Sequence, residues 1–327
     1  MTWVTWQQYR YQAVAAAALF AALAVVLLIT GLHAAAVWHF ALTHCAADKS
    51  CASLVGSDLP LGNSVIATLV VATSAVPVLP GLLWGAPTVA SELETGTNQF
   101  AWTQSITRRR WLAVRAGWLL LAAAVLAGAV SAIVTWWSGP FNALTADAFQ
   151  VNRFDVTDIV PVGYAIFAMA LGICAGTLLR RTLPALGITL AGFGAIRLVI
   201  ALWIRKHYLT PITVYYKLTT PFTPPGSYLP VSQGVVGANG YPPTSGAGAV
   251  GVDGVPIPAA CQQFMGRTNF NLRPVLSCMT THGYRGYVTY QPASRFWAFQ
   301  GIETGIFAVL AAVLIGITFW VLRRRDA

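Results

Sequence analysis

The stretch from Ser91 to Arg115, S-E-L-E-T-G-T-N-Q-F-A-W-T-Q-S-I-T-R-R-R-W-L-A-V-R, separates two long apolar runs. It is the longest polar passage on the side where arginines cluster, so it is expected to lie in water against one face of a membrane. Arg and Lys concentrate on the cytoplasmic side of membrane spans, and this face is therefore expected to be the cytoplasm. Carboxylates at Glu92 and Glu94, followed by apolar residues from Phe100 to Trp102, predict a short surface helix with an apolar edge that invites a partner.

The composition of the chain indicates an integral membrane protein. Of its 327 residues, 56% are hydrophobic and only 9% are charged, which is too apolar and too poorly charged for a soluble globular chain. The net charge of +10 does not indicate a nucleic-acid partner, because the basic residues lie in short groups beside apolar runs rather than on one solvated face. The positive-inside rule explains that arrangement.

Six apolar runs are each long enough for the roughly 20 residues that a helix needs to cross a bilayer. The predicted spans cover residues 13–32, 65–84, 112–137, 159–179, 183–204 and 297–322. Arginines mark their inner ends, at Arg10, Arg108 to Arg115, Arg180 to Arg181 and Arg323 to Arg325. Both termini are therefore expected in the cytoplasm, with residues 323–327 as a short tail.

The predicted fold is an all-α membrane protein of six transmembrane helices. Residues 1–12 carry Trp and Tyr at roughly helical spacing and predict an interfacial helix before the first span. A cytoplasmic segment, residues 91–111, joins spans two and three within the membrane region 13–204. Span two contains Pro77 and Pro80, which are expected to bend it. A hinge and a fixed kink are both compatible with that pattern.

A long hydrophilic insertion, residues 205–296, separates spans five and six and is predicted to be an extracytoplasmic domain. Gly and Pro are frequent in residues 234–254, which predicts a flexible stretch. Thr, Val and Tyr are enriched in residues 211–218 and 284–290, as they are in short strands.

Four of the five cysteines fall in predicted outside loops, where an oxidising compartment allows them to pair. Four cysteines allow three pairings. The local pairs, Cys45 with Cys51 and Cys261 with Cys278, are favoured, while free thiols remain an alternative. Metal binding is less favoured, because neither pair has the C-x-x-C spacing of zinc sites. Cys174 falls inside an apolar run.

Two ionisable residues, Arg197 and Glu303, fall inside predicted spans. An isolated charge in hydrocarbon costs at least ~2.5 kcal/mol, so each calls for a partner. Both lie at about 10 Å depth from the outer face, at 1.5 Å of helix rise per residue. They are predicted to pair across the outer part of the bundle, either as an outer gate or as a structural staple. The loop 138–158, which includes Asp155, is expected to be solvated.

Four motifs together resemble the permease subunit of type-2 ABC transporters, in a bacterial exporter branch. They are E-x-E-x-G-T at Glu92 to Thr97, T-x-S-x-T-R at Thr103 to Arg108, R-R-T-L-P at Arg180 to Pro184 and S-R-F-W-A-F-Q at Ser294 to Gln300. The resemblance covers most of the spans. Many family members carry Pro in the turn after the coupling helix, whereas this chain has T-Q-S-I-T at Thr103 to Thr107, which leaves the end of that helix open.

The resemblance implies that residues 91–111 are the coupling helix that docks on a separate ATPase. The implied contacts are Glu92, Glu94, Gly96, Thr97, Gln99, Phe100 and Trp102. It further implies a homodimer in the bacterial plasma membrane, surrounded by lipid and bound to two ATPase copies. ATP and Mg²⁺ would then be held by the ATPase, with no cofactor in this chain. Ordinary solvated helix charges are the competing interpretation of Glu92 and Glu94.

Motifs for nucleotide chemistry do not occur in a usable setting. A phosphate-binding loop, G-x-x-x-x-G-K-S/T, needs a lysine after glycine, and the only lysines, Lys49, Lys206 and Lys217, lie elsewhere. A G-x-G-x-x-G at Gly246 to Gly251 lies in the predicted outside domain without the strand and helix of a dinucleotide site. The chain is therefore not expected to be an enzyme or to hydrolyse ATP itself.

Two other functions remain open from the sequence. A secondary carrier typically has ionisable groups at the midplane and repeated halves, whereas Arg197 and Glu303 are off-centre and no convincing repeat is visible. A membrane-anchored sensor for a hydrophobic or antibiotic-like ligand is compatible with the disulfide-capable outside domain. An adjacent reading frame for a P-loop ATPase would favour the ABC permease over both.

Overall fold

The computed structural model describes residues 20–33, 71–95, 108–145, 151–220, 222–237, 257–264 and 272–324, with isolated positions 14, 18, 35, 36, 39, 43 and 149. These residues form two compact units. The first comprises residues 1–146, 150–200 and 297–327, and the second comprises residues 147–149 and 201–296. The predicted interfacial helix 1–12 lies outside the described residues.

The described helices are numbered in chain order. They are α1 (Phe20–His33), α2 (Ala86–Thr95), α3 (Arg108–Thr145), α4 (Val151–Phe154), α5 (Val160–Leu179), α6 (Thr182–Val199), α7 (Ala259–Gln262), α8 (Leu272–Thr281) and α9 (Phe296–Arg324). The described strands are β1 (Ile212–Tyr216), β2 (Tyr228–Val236) and β3 (Arg285–Pro292).

Four described helices are long and apolar enough to cross a membrane. They cover Leu112–Gly139, Val160–Leu179, Thr182–His207 and Ala293–Arg324, and they coincide with the predicted spans three to six. The first predicted span overlaps α1, a shorter apolar helix. Helix α3 continues to Thr145, so the first part of the predicted loop 138–158 is helical.

The described part of span two changes its winding within one continuous helical segment, residues 71–95. A 3₁₀ turn occupies Val76–Val78 and a π-helical segment occupies Gly81–Gly85, with α2 following directly. Pro77 and Pro80 lie at these changes, because proline has no N–H for the regular i to i−4 hydrogen bond. The two prolines that were predicted to bend span two therefore lie where its winding changes.

Helix α2 extends into the segment that was predicted to be cytoplasmic. Residues 91–95 belong to α2, which continues span two, and residues 108–111 belong to α3. Glu92 and Glu94 therefore lie on the last turns of a long helix rather than on a separate surface helix. Residues 96–107 between them lie outside the described residues.

Small residues bring span two into backbone contact with α5. A Cβ added to Gly81 would lie 2.3 Å from the carbonyl oxygen of Ala168, and one on Gly172 would lie 2.6 Å from the carbonyl oxygen of Gly81. One turn further along α5, a Cβ on Gly176 would lie 2.8 Å from the carbonyl oxygen of Ala86. Close approach through small residues is a common way for helices to pack in lipid, and it buries α5 along most of its length.

The second unit contains an antiparallel three-stranded sheet in the order β1-β3-β2. This sheet corrects the all-α prediction, although the strand-like enrichment of residues 211–218 and 284–290 correctly located β1 and β3. Strand β2 was not predicted, and its end at Val236 overlaps the stretch expected to be flexible. Most of that stretch, residues 238–254, lies outside the described residues. Leu218 and Val235 pack with residues of α7 and α8 in one apolar cluster.

Candidate functional sites in the membrane bundle

A carboxylate joins the ends of two helices in the first unit. Glu94 Oε2, on the last turn of α2, accepts hydrogen bonds from the Thr182 backbone N–H at 3.3 Å and from Thr182 Oγ1 at 3.0 Å. Thr182 is the first residue of α6, and the preceding Arg181 supplies no side-chain cap. The first N–H groups of a helix have no partner within the helix and carry partial positive charge, so a carboxylate there is stabilising.

The turn that presents Thr182 is short. Helix α5 ends at Leu179, and the following residue, Arg180, has a left-handed φ of 52° and a backbone N–H that bonds to the Gly176 carbonyl oxygen. Arg181 returns to extended backbone, and α6 begins immediately. This turn is the predicted connection between spans four and five, and Glu94 anchors α2 to it.

The other residues expected to contact an ATPase are only partly described. Glu92 lies on α2, and its side chain lies outside the described part of the chain. Gly96, Thr97, Gln99, Phe100 and Trp102 also lie outside the described residues. Glu94 is exposed, so its capping of Thr182 leaves it accessible at the end of the bundle.

A second site is a polar cluster of Asp155, Tyr164, Arg197, Gln300 and Glu303 inside the first unit. Arg197, on α6, donates to Asp155 Oδ2 from Nε at 3.2 Å and from Nη2 at 3.0 Å. Its Nη1 donates to the carbonyl oxygen of Ser74, on span two, at 2.7 Å. The guanidinium carbon lies 5.1 Å from the centre of the Tyr164 ring. Arg197 therefore ties three segments of the bundle together.

Tyr164 connects the ion pair to α9. Its hydroxyl lies 3.2 Å from Asp155 Oδ1 and 2.5 Å from Glu303 Oε1. The side chains of Asp155, Tyr164 and Glu303 are all buried. The rings of Phe193 and Phe307 pack edge-on against the Tyr164 ring, so the ring that carries this hydroxyl is held between aromatic side chains.

Gln300 fixes the start of α5. Its Oε1 accepts a hydrogen bond from the Val160 backbone N–H at 3.0 Å, and its Nε2 donates to the Phe154 carbonyl oxygen at 3.2 Å. This buried amide pairs one donor and one acceptor of the backbone in the turn between α4 and α5. This turn carries Asp155, so Gln300 also positions the ion pair.

The predicted residues Arg197 and Glu303 thus lie in one network, but Arg197 is paired with Asp155. Tyr164 stands between the two predicted partners. Asp155 was expected in a solvated loop, and the structure buries it to 1% exposure. The sequence signal was the position of Asp155 between the apolar residues Phe154 and Val156, both of which are buried. A carboxylate between buried apolar residues needs an internal partner.

The turn after Asp155 is anchored on α3. Asp158 adopts a left-handed φ of 61°. Its backbone N–H bonds to Thr135 Oγ1 at 2.8 Å, and its carbonyl oxygen accepts from Ser131 Oγ at 2.6 Å. Burial raises the pKa of the Asp158 carboxyl above its ordinary value, and a hydrogen bond with Thr157 partly opposes that rise.

The second unit contains the predicted disulfide between Cys261 and Cys278, which closes a separation of 17 residues. His282 lies near it, with Nδ1 at 3.8 Å from Cys278 Sγ. The sulfurs are bonded to each other and are therefore not available as thiolate ligands. Cys45 and Cys51 lie outside the described residues, and Cys174 is a buried free thiol.

The apolar helices and the buried polar cluster define a multi-pass membrane protein. Residues 17–205 match the family model described as ABC-2 membrane transporter related, and the chain belongs to that family. The match covers more than half of the chain and includes the Glu94 cap and the whole of α5 and α6. No curated protein and no solved structure matches the chain. Members of this family are normally non-enzymatic membrane subunits of transporters.

Proposed function

We propose that this chain is the translocation subunit of an ATP-driven exporter, driven by a separate ATPase that docks at residues 91–111. The observation that carries the proposal is the family match together with the position of Glu94. Helix α2 runs from span two directly into the docking segment, and its last turn contacts the start of α6. A push on residues 96–107 is therefore delivered to two spans at once.

The positions of the basic residues support the membrane orientation that this proposal assumes. If each helix crosses the membrane once, the start of α3, the end of α5, the start of α6 and the end of α9 lie on the same side. These ends carry Arg110, Arg180, Arg181, Arg323 and Arg324. Basic residues favour the cytoplasmic side, where an ATPase would find the docking segment. The insertion between α6 and α9 then lies outside the cytoplasm, where its disulfide is stable.

The working unit is proposed to be a dimer of this chain with two ATPase copies. Six spans are few for a pathway, and large apolar side chains such as Trp118, Val125 and Val309 are exposed on the described helices, as expected for surfaces that meet lipid or a second copy. ATP and Mg²⁺ belong to the ATPase in this arrangement. Binding and closure of the two ATPases would switch the spans between inward and outward access.

The test uses the complex of the chain with its ATPase, purified and reconstituted in lipid vesicles. Gly96→Pro or Phe100→Asp is expected to leave membrane insertion intact and to remove the stimulation of ATP hydrolysis by the permease. Phe264→Asp is the matched control, because Phe264 is an exposed aromatic in the second unit. ATP hydrolysis that stays fully stimulated in both docking variants would contradict the proposal.

A further inference from the structure

Positive charge collects in the second unit, where span five ends and span six begins. This unit contains seven Lys and Arg residues but only two Asp and no Glu. Span five ends with Arg205, Lys206 and His207, and Arg295 lies in the first turn of span six. Basic residues are normally concentrated at the cytoplasmic ends of membrane spans, and this is the opposite end of both helices from Arg181 and the C-terminal arginines. A negatively charged partner would explain why basic residues are placed here.

One buried amide holds these two span ends together. Gln291, in β3, is fully buried. Its Nε2 donates to the carbonyl oxygens of Lys206 at 3.3 Å and of Leu209 at 2.6 Å. Its Oε1 accepts a hydrogen bond from Arg295 Nη1 at 2.6 Å, and the same nitrogen donates to the Thr210 carbonyl oxygen at 2.5 Å. The guanidinium of Arg295 is therefore fixed beside the turn that begins at Lys206.

Lys206 and Arg295 form a basic pair that is open to a ligand. Both side chains are half-buried. Within the part of the chain that the structure describes, neither of them forms an ion pair with a carboxylate. The described hydrogen bonds of Arg295 use Nη1, so its Nε and Nη2 have no partner among those residues. Arg205 is buried and is not part of the pair.

Apolar surface continues from the basic pair along the end of span five. Leu202, Trp203 and Ile204 are 55%, 74% and 44% exposed, and they lie directly before the basic residues of this helix. Tryptophan is enriched where membrane spans meet the headgroup region, so Lys206, just beyond Trp203, is expected at the level of the lipid phosphates. A soluble anion would contact only the cations, whereas a lipid would contact both the cations and the apolar surface.

We propose that Lys206 and Arg295 bind the phosphate group of an anionic phospholipid, whose acyl chain lies against Leu202 and Trp203. Guanidinium and ammonium groups donate charge-assisted hydrogen bonds to phosphate oxygens, and basic groups between membrane helices are suited to lipid headgroups. The excess of basic residues in the second unit favours an anionic lipid over a zwitterionic one. The orientation proposed above places this lipid in the outer leaflet. The binding itself does not depend on the exporter function.

Photo-crosslinking at position 203 tests this proposal. The purified full-length chain, with Trp203 replaced by the photoreactive amino acid p-benzoylphenylalanine, is reconstituted in vesicles of equal parts phosphatidylglycerol and phosphatidylcholine. The lipid attached after illumination is identified by mass spectrometry. Phosphatidylglycerol is expected to exceed phosphatidylcholine by about fivefold or more, since one cation near a membrane surface favours an anionic lipid by about that factor. This ratio does not depend on whether any variant of the basic pair folds.

A matched pair of variants then assigns the preference to the basic pair. Lys206→Glu is expected to lower the ratio of the two crosslinked lipids by about fivefold or more. Lys217→Glu is the control, because it makes the same change of charge in the same unit, beyond the opposite end of β1 from span five, and it is expected to leave the ratio unchanged.

Three results would overturn the proposal. The first is equal crosslinking of the two lipids in the chain that carries only the crosslinker. The second is an equal loss of preference in Lys206→Glu and Lys217→Glu, which would assign the preference to the net charge of the second unit. The third is a preference that inorganic phosphate abolishes and that chloride at the same ionic strength does not, which would assign the basic pair to a soluble phosphate.

Discussion

Glu94 and Thr182 are 88 positions apart in the chain, and the carboxylate of the first caps the helix that begins with the second. Glu94→Ala is expected to lower the thermal stability of the purified chain, because loss of a helix cap costs about 0.5–2 kcal/mol. Glu94→Gln is expected to cost less, since its amide oxygen still accepts a hydrogen bond. Thermal unfolding in detergent measures both changes.

A double-mutant cycle separates the cap from other effects of Glu94. Thr182→Ala removes the hydroxyl but keeps the backbone N–H, so the loss in the double variant is expected to be smaller than the sum of the two single losses. Residues in direct contact usually show such coupling. Strictly additive losses would show that the contact contributes nothing to stability, and Glu94 would then be available for docking alone.

The ion pair between Arg197 and Asp155 predicts a specific pattern of rescue. Arg197→Ala or Asp155→Ala leaves a buried charge without its partner, which typically costs about 3–5 kcal/mol. The exchange of Arg197→Asp with Asp155→Arg is expected to recover part of the yield of folded protein in the membrane. Exchange of Arg197 with Glu303 serves as the comparison and is expected to recover less, because the Tyr164 ring lies between them. Equal recovery in the two exchanges would contradict the pairing seen in the structure.

The close contact between α5 and span two predicts that Gly172 cannot be enlarged. Gly172→Ala places a methyl group 2.6 Å from the Gly81 carbonyl oxygen and 2.8 Å from the Ala86 backbone nitrogen. Overpacking of this kind costs typically about 1–3 kcal/mol, and a lower unfolding temperature is expected. Gly187→Ala on α6 is the control, since nothing lies within 4 Å of its added Cβ. A larger loss from Gly187→Ala than from Gly172→Ala would refute this packing.

Asp158 predicts a pH dependence that a single variant removes. Its pKa is raised from 3.8 by burial, so the folded state binds the proton more tightly than the unfolded state. The wild type is therefore expected to lose stability as the pH rises from about the ordinary pKa of an aspartate through the raised pKa of Asp158. Asp158→Asn keeps a residue that tolerates the left-handed backbone and does not ionise, so its stability relative to wild type should rise over that range and then level off. A constant difference across the range would contradict the raised pKa.

The spans were predictable because each one carries its own signal. Four apolar runs form helices of spanning length at nearly the expected limits. An apolar segment surrounded by lipid or protein must form its backbone hydrogen bonds within itself, and a helix does so. How far a helix continues beyond its apolar run was not predictable. Ser91, Glu92, Glu94 and Thr95 are polar, yet they extend span two as part of α2, because helix geometry propagates from the apolar turns before them.

The polar cluster was predictable only in part. Arg197 and Glu303 stood out as charges inside apolar runs, but the partner that completes the ion pair, Asp155, lies just outside a span. Contacts such as Tyr164 to Glu303 join residues 139 positions apart, and no local pattern encodes them. The sheet shows the same limit: β1 and β3 have strand-like composition, whereas β2 contains Pro230 and Gly234 and is stabilised by its pairing with β3.

The backbone contact between Gly81 and Gly172 also limits which motions the bundle has. With no side chain between them, span two and α5 cannot slide past each other without a clash between main-chain atoms. A displacement at the α2 end of span two would therefore move span two and α5 together. Any rearrangement that opens a route through the protein must then take place at a helix interface other than the one between span two and α5.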